Sequence, residues 1–108
     1  EDFAEKVLEY TDGHGVDVIL DFVGASYWEK NLKSAAFDGR WILIGTLGGA
    51  EVEKMSIGAL MQKRLSLKAT LLTPRSDQYK AELTQEFSKR IVPFFKEDII
   101  QPIVHSFI

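Results

Sequence analysis

The chain has 108 residues, of which 45% are hydrophobic and 27% are charged, a balance typical of one modest globular domain with a core. Its net charge of -3, with Lys and Arg scattered among acidic residues, provides no electrostatic footprint for nucleic acid or an anionic membrane. No apolar run approaches the roughly 20 residues of a membrane span, and the lack of Cys excludes disulfides, thiolate ligands and a cysteine nucleophile. With only two His residues we expect no metal site, and these features together are typical of a cytoplasmic protein.

Both ends of the sequence suggest that the natural chain is longer. The first residue is Glu1 rather than Met, and residues 2–10 already have a helical pattern, with Phe3 and Val7 on one stripe. At the other end, residues 103–108 form an apolar, strand-like run with no turn or polar tail after it. We therefore expect a piece of a larger protein.

The first predicted strand spans residues 16–23, after a turn that contains Gly15. The run is too apolar for a strand with one wet face, so we expect it to be covered on both sides. Ser26 and Glu29 have the spacing of a capping box, which predicts a helix that begins two residues after Gly24. That helix carries apolar residues at helical intervals: Trp28, Leu32, Ala35 and Ala36.

The same strand, glycine and helix order is repeated further along the chain. Residues 41–44 form a second apolar strand, followed by the glycine-rich loop 45–49. Ser56 is a candidate cap for a short helix, and residues 66–72 predict a third strand that ends before Pro74.

The last predicted helix begins after Ser76, and Pro93 near its end disturbs the final turns. Its apolar residues fall every four positions: Tyr79, Leu83, Phe87 and Ile91. Strands that alternate with helices imply parallel pairing with right-handed crossovers. The predicted fold class is therefore α/β, a partial doubly wound parallel sheet of three strands with flanking helices.

Ligands of open parallel sheets bind beyond the carboxyl ends of the strands. Two successive strand ends carry glycine here, and a missing Cβ lets a ligand approach the backbone. The same glycines also make tight strand-to-helix turns, but their repetition favours a ligand. The candidate cofactor-binding residues are Val23, Gly24, Gly45, Thr46, Leu47, Gly48, Gly49, Leu71, Leu72 and Thr73.

The dinucleotide fingerprint G-x-G-x-x-G is absent from the chain, and residues 45–49 do not have its spacing. The sequence also lacks the acidic residue that follows this fingerprint and a P-loop Lys. We therefore expect that the residues that hold the cofactor phosphates are missing from this segment.

Few side chains are candidates for chemistry. Asp21 can act as an acid or base or bind a ribose hydroxyl, although a strand-end Asp more often bonds to neighbouring backbone N–H groups. Trp28 and Trp41 are interpreted as core aromatics, and Arg75 as an exposed loop residue rather than a phosphate ligand. His14 is expected to be solvated. A Rossmann-like methyltransferase is an alternative class that also uses a strand ending in Asp near glycines.

A more specific set of segments covers much of the chain: TDG (11–13), GVD (15–17), LD (20–21), VG (23–24), DGRW (38–41) and GTLGG (45–49). These segments resemble the medium-chain dehydrogenase/reductase superfamily. A second set is similar to its p53-inducible quinone oxidoreductase branch: SYWEKN (26–31), KR (63–64), SL (66–67), LL (71–72), RS (75–76) and YK (79–80).

The resemblance implies a zinc-independent enzyme that transfers hydride from NADPH to a quinone. It implies a homodimer in which strand 66–72 joins the two subunits, and a Rossmann domain inserted in a GroES-like catalytic domain. Residues 1–100 would then be the carboxyl-terminal half of the Rossmann domain, and residues 101–108 the start of the return to the missing catalytic domain. Thr73 departs from the pattern, since family members more often have Arg at this position.

By the same resemblance, residues 23–24 lie near the nicotinamide end, residues 45–49 run along the cofactor and residues 71–73 face the nicotinamide. No catalytic residue is expected here, because the quinone should lie between the nicotinamide and the missing catalytic domain. We expect this segment alone to be inactive. An alternative interpretation is a folding or dimerisation module held by strand 66–72.

Overall fold

The computed structural model describes residues 2–104, so residues 105–108 of the predicted return segment lie outside the described part. The chain divides into two compact units, one ending at Leu71 and the other beginning at Leu72. The first unit contains the helices α1 (Phe3–Tyr10), α2 (Trp28–Ser34) and α3 (Ile57–Gln62), the strands β1 (Val16–Asp21), β2 (Ala35–Leu43) and β3 (Ser66–Ala69), and a 3₁₀ turn (Ala25–Tyr27). The second unit contains α4 (Asp77–Arg90) and α5 (Val92–Lys96).

The three strands form one parallel sheet in the order β1-β2-β3. Trp41 on the middle strand pairs with Ile19 on one side and with Leu67 on the other. Because parallel neighbours need a crossover, α2 joins β1 to β2 and α3 joins β2 to β3. The predicted α/β class and the parallel three-stranded sheet are confirmed.

The core of the first unit is built on two tryptophans. Trp41 is fully buried and Trp28 is 6% exposed, and their rings lie 4.6 Å apart between centroids. Leu32 completes this cluster, and further apolar side chains pack around it: Ile19, Leu43, Val52, Ala59, Leu60 and Leu65. The interpretation of both tryptophans as core aromatics is confirmed. The cluster fixes α2 on the sheet, directly beside the carboxyl ends of the strands.

One face of β1 is open, contrary to the expectation of a strand covered on both sides. Ile19 packs against the core, whereas Val18 and Leu20 are 52% and 66% exposed. Successive side chains of a strand point to opposite faces, so these two residues share the face that the described residues leave uncovered. The edge of β1 opposite β2 also has no strand partner within residues 2–104.

Several predicted boundaries differ from the observed ones. β1 ends at Asp21 and β3 at Ala69, before the predicted ends, whereas β2 begins at Ala35, six residues before its predicted start. Ala35 and Ala36, assigned to the helix by their spacing, lie in β2. Here a register shift against β1 inserts extra residues, so no simple alternation marks the start of the strand.

The predicted helix caps are confirmed at two of three positions. The Oγ atoms of Ser56 and Ser76 each accept a hydrogen bond, at 3.1 Å, from the backbone N–H three residues later. Ser26 is not a cap, because it lies inside the 3₁₀ turn that precedes α2, and Tyr27 takes the N-cap position without a side-chain hydrogen bond. Pro93 was predicted to disturb the final turns of the last helix; α4 ends at Arg90, and Pro93 lies in the first turn of the separate helix α5.

A basic pair before β3 fastens the amino-terminal side of the sheet. Lys63 Nζ donates to the carbonyl oxygens of Leu32 at 2.6 Å and Ala35 at 2.8 Å, at the end of α2. Arg64 forms two bonds with the Asp38 carboxylate, at 2.7 and 2.9 Å. The Arg64 hydrogen bond lowers the pKa of Asp38, and burial lowers the pKa of Lys63. Two residues thus tie β3 to the preceding helix and strand.

Candidate functional site

A cavity of about 350 Å³ lies at the carboxyl ends of the strands in the first unit. This volume is within the range of roughly 300 to 1,000 Å³ typical of small-molecule sites. Its walls are largely apolar and include Trp28, Leu43, Val52 and Ala69. Five of the ten predicted cofactor-binding residues border it: Gly24, Gly45, Thr46, Gly49 and Leu71. The structure thus brings residues from all three strand ends to one concave surface.

One side of the cavity is formed by two interlocked backbone segments, the turn after β1 and the loop after β2. Gly48 N–H donates to the carbonyl oxygen of Val23 at 2.6 Å, and Ala25 N–H donates to that of Gly49 at 2.9 Å. Gly24, between the two bonded positions of the turn, has a φ of 87°. The two segments are therefore joined directly by backbone hydrogen bonds.

The glycines of these segments allow the close approach of protein to protein. A Cβ added to Gly24 would lie 2.6 Å from the Gly49 carbonyl oxygen, and one added to Gly45 would lie 2.9 Å from the Phe22 carbonyl oxygen. A Cβ on Gly48 would collide with the Ser26 hydroxyl. Packing between turn and loop is thus sufficient to explain the glycines, and their part in ligand binding stays a prediction.

The buried Asp21 side chain binds the backbone of the turn after β1. It is 3% exposed, and its Oδ1 accepts hydrogen bonds from the N–H groups of Val23 and Gly24, both at 2.9 Å. Its Oδ2 accepts from Asn31 Nδ2 at 3.0 Å and from Trp41 Nε1 at 3.1 Å. The interpretation that this Asp bonds to neighbouring backbone N–H groups is confirmed. Both oxygens are occupied by protein donors, which disfavours a role as acid, base or ribose ligand.

Trp28 contributes an unsatisfied donor. Its indole ring lines the cavity, and its Nε1–H is buried without an acceptor among the described residues. Buried donors are nearly always paired in folded proteins. None of the described protein groups accepts a hydrogen bond from this N–H. Sequence reasoning missed it, because the spacing of an apolar helix does not show which way an indole N–H points.

The other predicted site residues lie elsewhere. Val23 borders a second apolar cavity, of about 280 Å³, beside β1. Leu47 is 84% exposed, and Gly48 packs on the turn after β1. Leu72 and Thr73 belong to the second unit, where the Thr73 carbonyl oxygen accepts a hydrogen bond from Lys80 Nζ at 2.9 Å.

The remaining polar candidates are engaged on the surface. The Arg75 guanidinium lies 4.4 Å from the ring centroid of Tyr79. His14 is largely exposed, as expected, and its Nε2 lies 3.2 Å from the Asp17 carboxylate. Within residues 2–104 no group of three or more His, Cys, Asp or Glu side chains is arranged to hold a metal ion. In the same part of the chain, every helix is too short or too polar to cross a membrane.

A parallel α/β sheet with a ligand-sized cavity at its carboxyl edge defines the class as a Rossmann-type unit, of the kind found in medium-chain dehydrogenases/reductases. Residues 1–89 match the family described as zinc-binding dehydrogenase. The chain belongs to this family, and its relatives include proteins named quinone oxidoreductase and NAD-dependent alcohol dehydrogenase. A methyltransferase is therefore not supported.

Three relatives show how much of such a protein the chain represents. It is 30% identical over 96 residues to a quinone oxidoreductase-like protein 2 homolog from Nematostella vectensis, covering 89% of this chain and 26% of that protein. It is 38% identical over 63 residues to a quinone oxidoreductase from Pseudomonas aeruginosa, covering 58% and 19%. A quinone oxidoreductase structure from Pseudomonas syringae pv. Tomato DC3000 matches with a TM-score of 0.65 and 30% identity, covering 94% and 30%. The chain thus spans less than a third of each relative.

Proposed function

We propose that this chain is the carboxyl-terminal half of the cofactor-binding domain of an NADPH-dependent quinone oxidoreductase. In this proposal the cavity bordered by Gly24, Gly45 and Leu71 receives the nicotinamide end of the cofactor. The observation that carries the proposal is the convergence of three parallel strand ends on one apolar cavity, where such sheets bind their ligands. Relatives named as quinone oxidoreductases support the choice of substrate.

The residues present fit a nicotinamide group. The apolar walls suit a flat ring, and the buried indole N–H of Trp28 lacks an acceptor in the described protein. The nicotinamide supplies the hydride when it is bound. The chain itself would orient the ring between β2 and the turn after β1 and keep water from one side of it. Asp21 is fully hydrogen-bonded to protein groups, so it is not assigned a proton-transfer role.

Further parts of the proposal concern the whole protein. Residues 1–100 would complete a Rossmann domain whose preceding half binds the phosphates, and residues 101–108 would return to a catalytic domain. The enzyme would be zinc-independent and cytoplasmic. It would form a homodimer through the strand predicted over residues 66–72, and the edge of β3 opposite β2 has no strand partner among residues 2–104. Light scattering that gives a monomer mass would contradict the dimer.

A titration of the natural gene product that contains these residues tests the function. Saturable NADPH binding, followed by cofactor fluorescence, and NADPH oxidation that depends on a quinone are the expected results. Ala69→Leu fills the cavity from β3 and should weaken binding at least about tenfold, or about 1.4 kcal/mol. Lys68→Leu is the matched control, because its side chain points to the opposite face of the same strand.

Three outcomes would contradict parts of the proposal. If Ala69→Leu and Lys68→Leu bind NADPH alike, the cofactor does not occupy this cavity. Tighter binding of NADH than of NADPH refutes the cofactor preference. A dimer that binds neither cofactor favours the alternative function, a folding or dimerisation module.

A further inference from the structure

The Asp21 carboxylate is the point at which three elements of the first unit meet. It ends β1, and its two oxygens accept hydrogen bonds from the turn after β1, from Asn31 on α2 and from Trp41 on β2. Its backbone carbonyl also accepts from Ile44 N–H at 2.8 Å, where β2 ends. A deprotonated carboxyl group is acceptor-only, so four donors and no acceptor match that form.

This arrangement sets the position of Gly24. Two of the four hydrogen bonds come from the N–H groups of Val23 and Gly24, so the carboxylate closes the turn just below the cavity. Gly24 has a φ of 87° and a ψ of -129°, which is one of several conformations that glycine adopts freely, so the turn needs a constraint to keep it there. The side chain of Asp21 supplies that constraint from inside the protein.

The position of the turn also determines the position of the loop after β2. Val23 and Gly49 carry the carbonyl oxygens that bond the two segments together, at 2.6 and 2.9 Å. Gly24 approaches Gly49 so closely that even a methyl group does not fit between them. A displacement of the turn therefore displaces the loop, and both segments border the cavity.

We propose that Asp21 is a positioning residue for the cavity at the strand ends, acting through the Val23–Gly24 turn and the loop 45–49 without touching the ligand. This inference rests on the proposed function where it concerns the cofactor. Small displacements of positioning groups have large effects on bound ligands. This role accounts for the burial of a carboxylate whose hydrogen-bond partners among the described residues are all uncharged donors.

Asp21→Asn is the direct test. An amide has one accepting oxygen, so its NH₂ group must face either the two backbone N–H donors of the turn or the donors of Asn31 and Trp41. In the natural gene product, NADPH binding by Asp21→Asn should weaken about tenfold or more. Asn31→Ala removes a single donor and serves as the milder variant if Asp21→Asn does not fold; its binding should weaken about threefold.

The control separates positioning from general loss of stability. Leu65 packs against the core just before β3, at the opposite end of the sheet from the cavity. Leu65→Ala should lower the thermal midpoint at least as much as Asn31→Ala, yet bind NADPH as the wild type does. If Asp21→Asn and Asn31→Ala also bind as the wild type does, or if binding follows the thermal midpoint in all variants, the positioning role is refuted.

Amide hydrogen exchange distinguishes this inference from the proposed function. Residues 22–25 and 45–49 should exchange at least about tenfold faster in Asp21→Asn than in Leu65→Ala, since the amide cannot accept from both pairs of donors and loses either its bonds to the turn or its bonds to Asn31 and Trp41. Unchanged exchange overturns the inference whether or not the protein binds a cofactor. Faster exchange in a protein whose wild type binds no nicotinamide cofactor refutes the proposed function and leaves the role of Asp21 in placing the loop intact.

Discussion

Gly24→Ala tests whether the turn after β1 and the loop after β2 form one rigid edge of the cavity. Gly24 lies at a φ of 87° and a ψ of -129°, where a residue with a Cβ is strained by about 1 to 3 kcal/mol. The new Cβ would lie 2.6 Å from the Gly49 carbonyl oxygen, a backbone atom held by its bond to Ala25 N–H. Relief of this overlap requires a shift of the loop, at a further cost of about 1 to 3 kcal/mol. We expect a total destabilisation of about 2 to 6 kcal/mol.

Gly13→Ala is the matched control for backbone strain. Gly13 has a φ of 82°, and a Cβ added there meets no atom within 4 Å. Its cost should be limited to about 1 to 2 kcal/mol for the left-handed conformation. Urea unfolding of the natural gene product, followed by intrinsic tryptophan fluorescence, compares the two variants, because Trp28 and Trp41 lie in the core of this unit. Equal destabilisation by both substitutions would falsify the claim that turn and loop are packed in contact.

Three further changes test two contacts that fasten the sheet and the cap of α4. Asp38→Asn should destabilise the protein at about pH 5 and above; because the hydrogen bond from Arg64 holds the pKa of Asp38 below its ordinary 3.8, the difference from wild type in thermal melts should vanish as the pH falls through that lowered value. A difference that does not change with pH contradicts the ion pair. Lys63→Met should cost about 1 to 2 kcal/mol in urea unfolding, whereas the exposed control Lys33→Met should stay within about 0.5 kcal/mol. Ser76→Ala should cost about 1 kcal/mol through loss of the α4 cap, and no change in hydrogen exchange over the first turn of α4 would contradict the cap.

The fold was predictable because its signals are local. The apolar runs that became β1 and β3, and the caps Ser56 and Ser76, are each contained in a few consecutive residues. The start of β2 was not predictable in the same way. Its first residues, Ala35 and Ala36, continue the helical spacing of α2, and only the pairing of Ala35 with Val16 places them in the sheet. Contacts between distant segments decided this boundary.

In the candidate site, too, the local features were predictable from the sequence and the contacts between distant segments were not. The sequence identified the strand ends, and five of its ten candidates border one cavity. It predicted the hydrogen bonds from neighbouring backbone N–H groups to Asp21, but not those from Asn31 and Trp41, because these two donors come from later elements of the chain. It also did not show that an indole N–H of Trp28 is left without an acceptor.

The glycines illustrate why a sequence pattern can support two interpretations at once. Gly24, Gly45 and Gly48 are each in close contact with backbone or side-chain atoms of the partner segment, so turn and loop packing accounts for all three. On the side formed by the turn and the loop, the same glycines leave the cavity bordered by backbone, which suits the approach of a flat ring. The proposed approach of a ligand would therefore depend on the same glycines that pack the turn against the loop. The two roles separate only at the cavity itself, where Ala69→Leu fills space without altering any of these glycines.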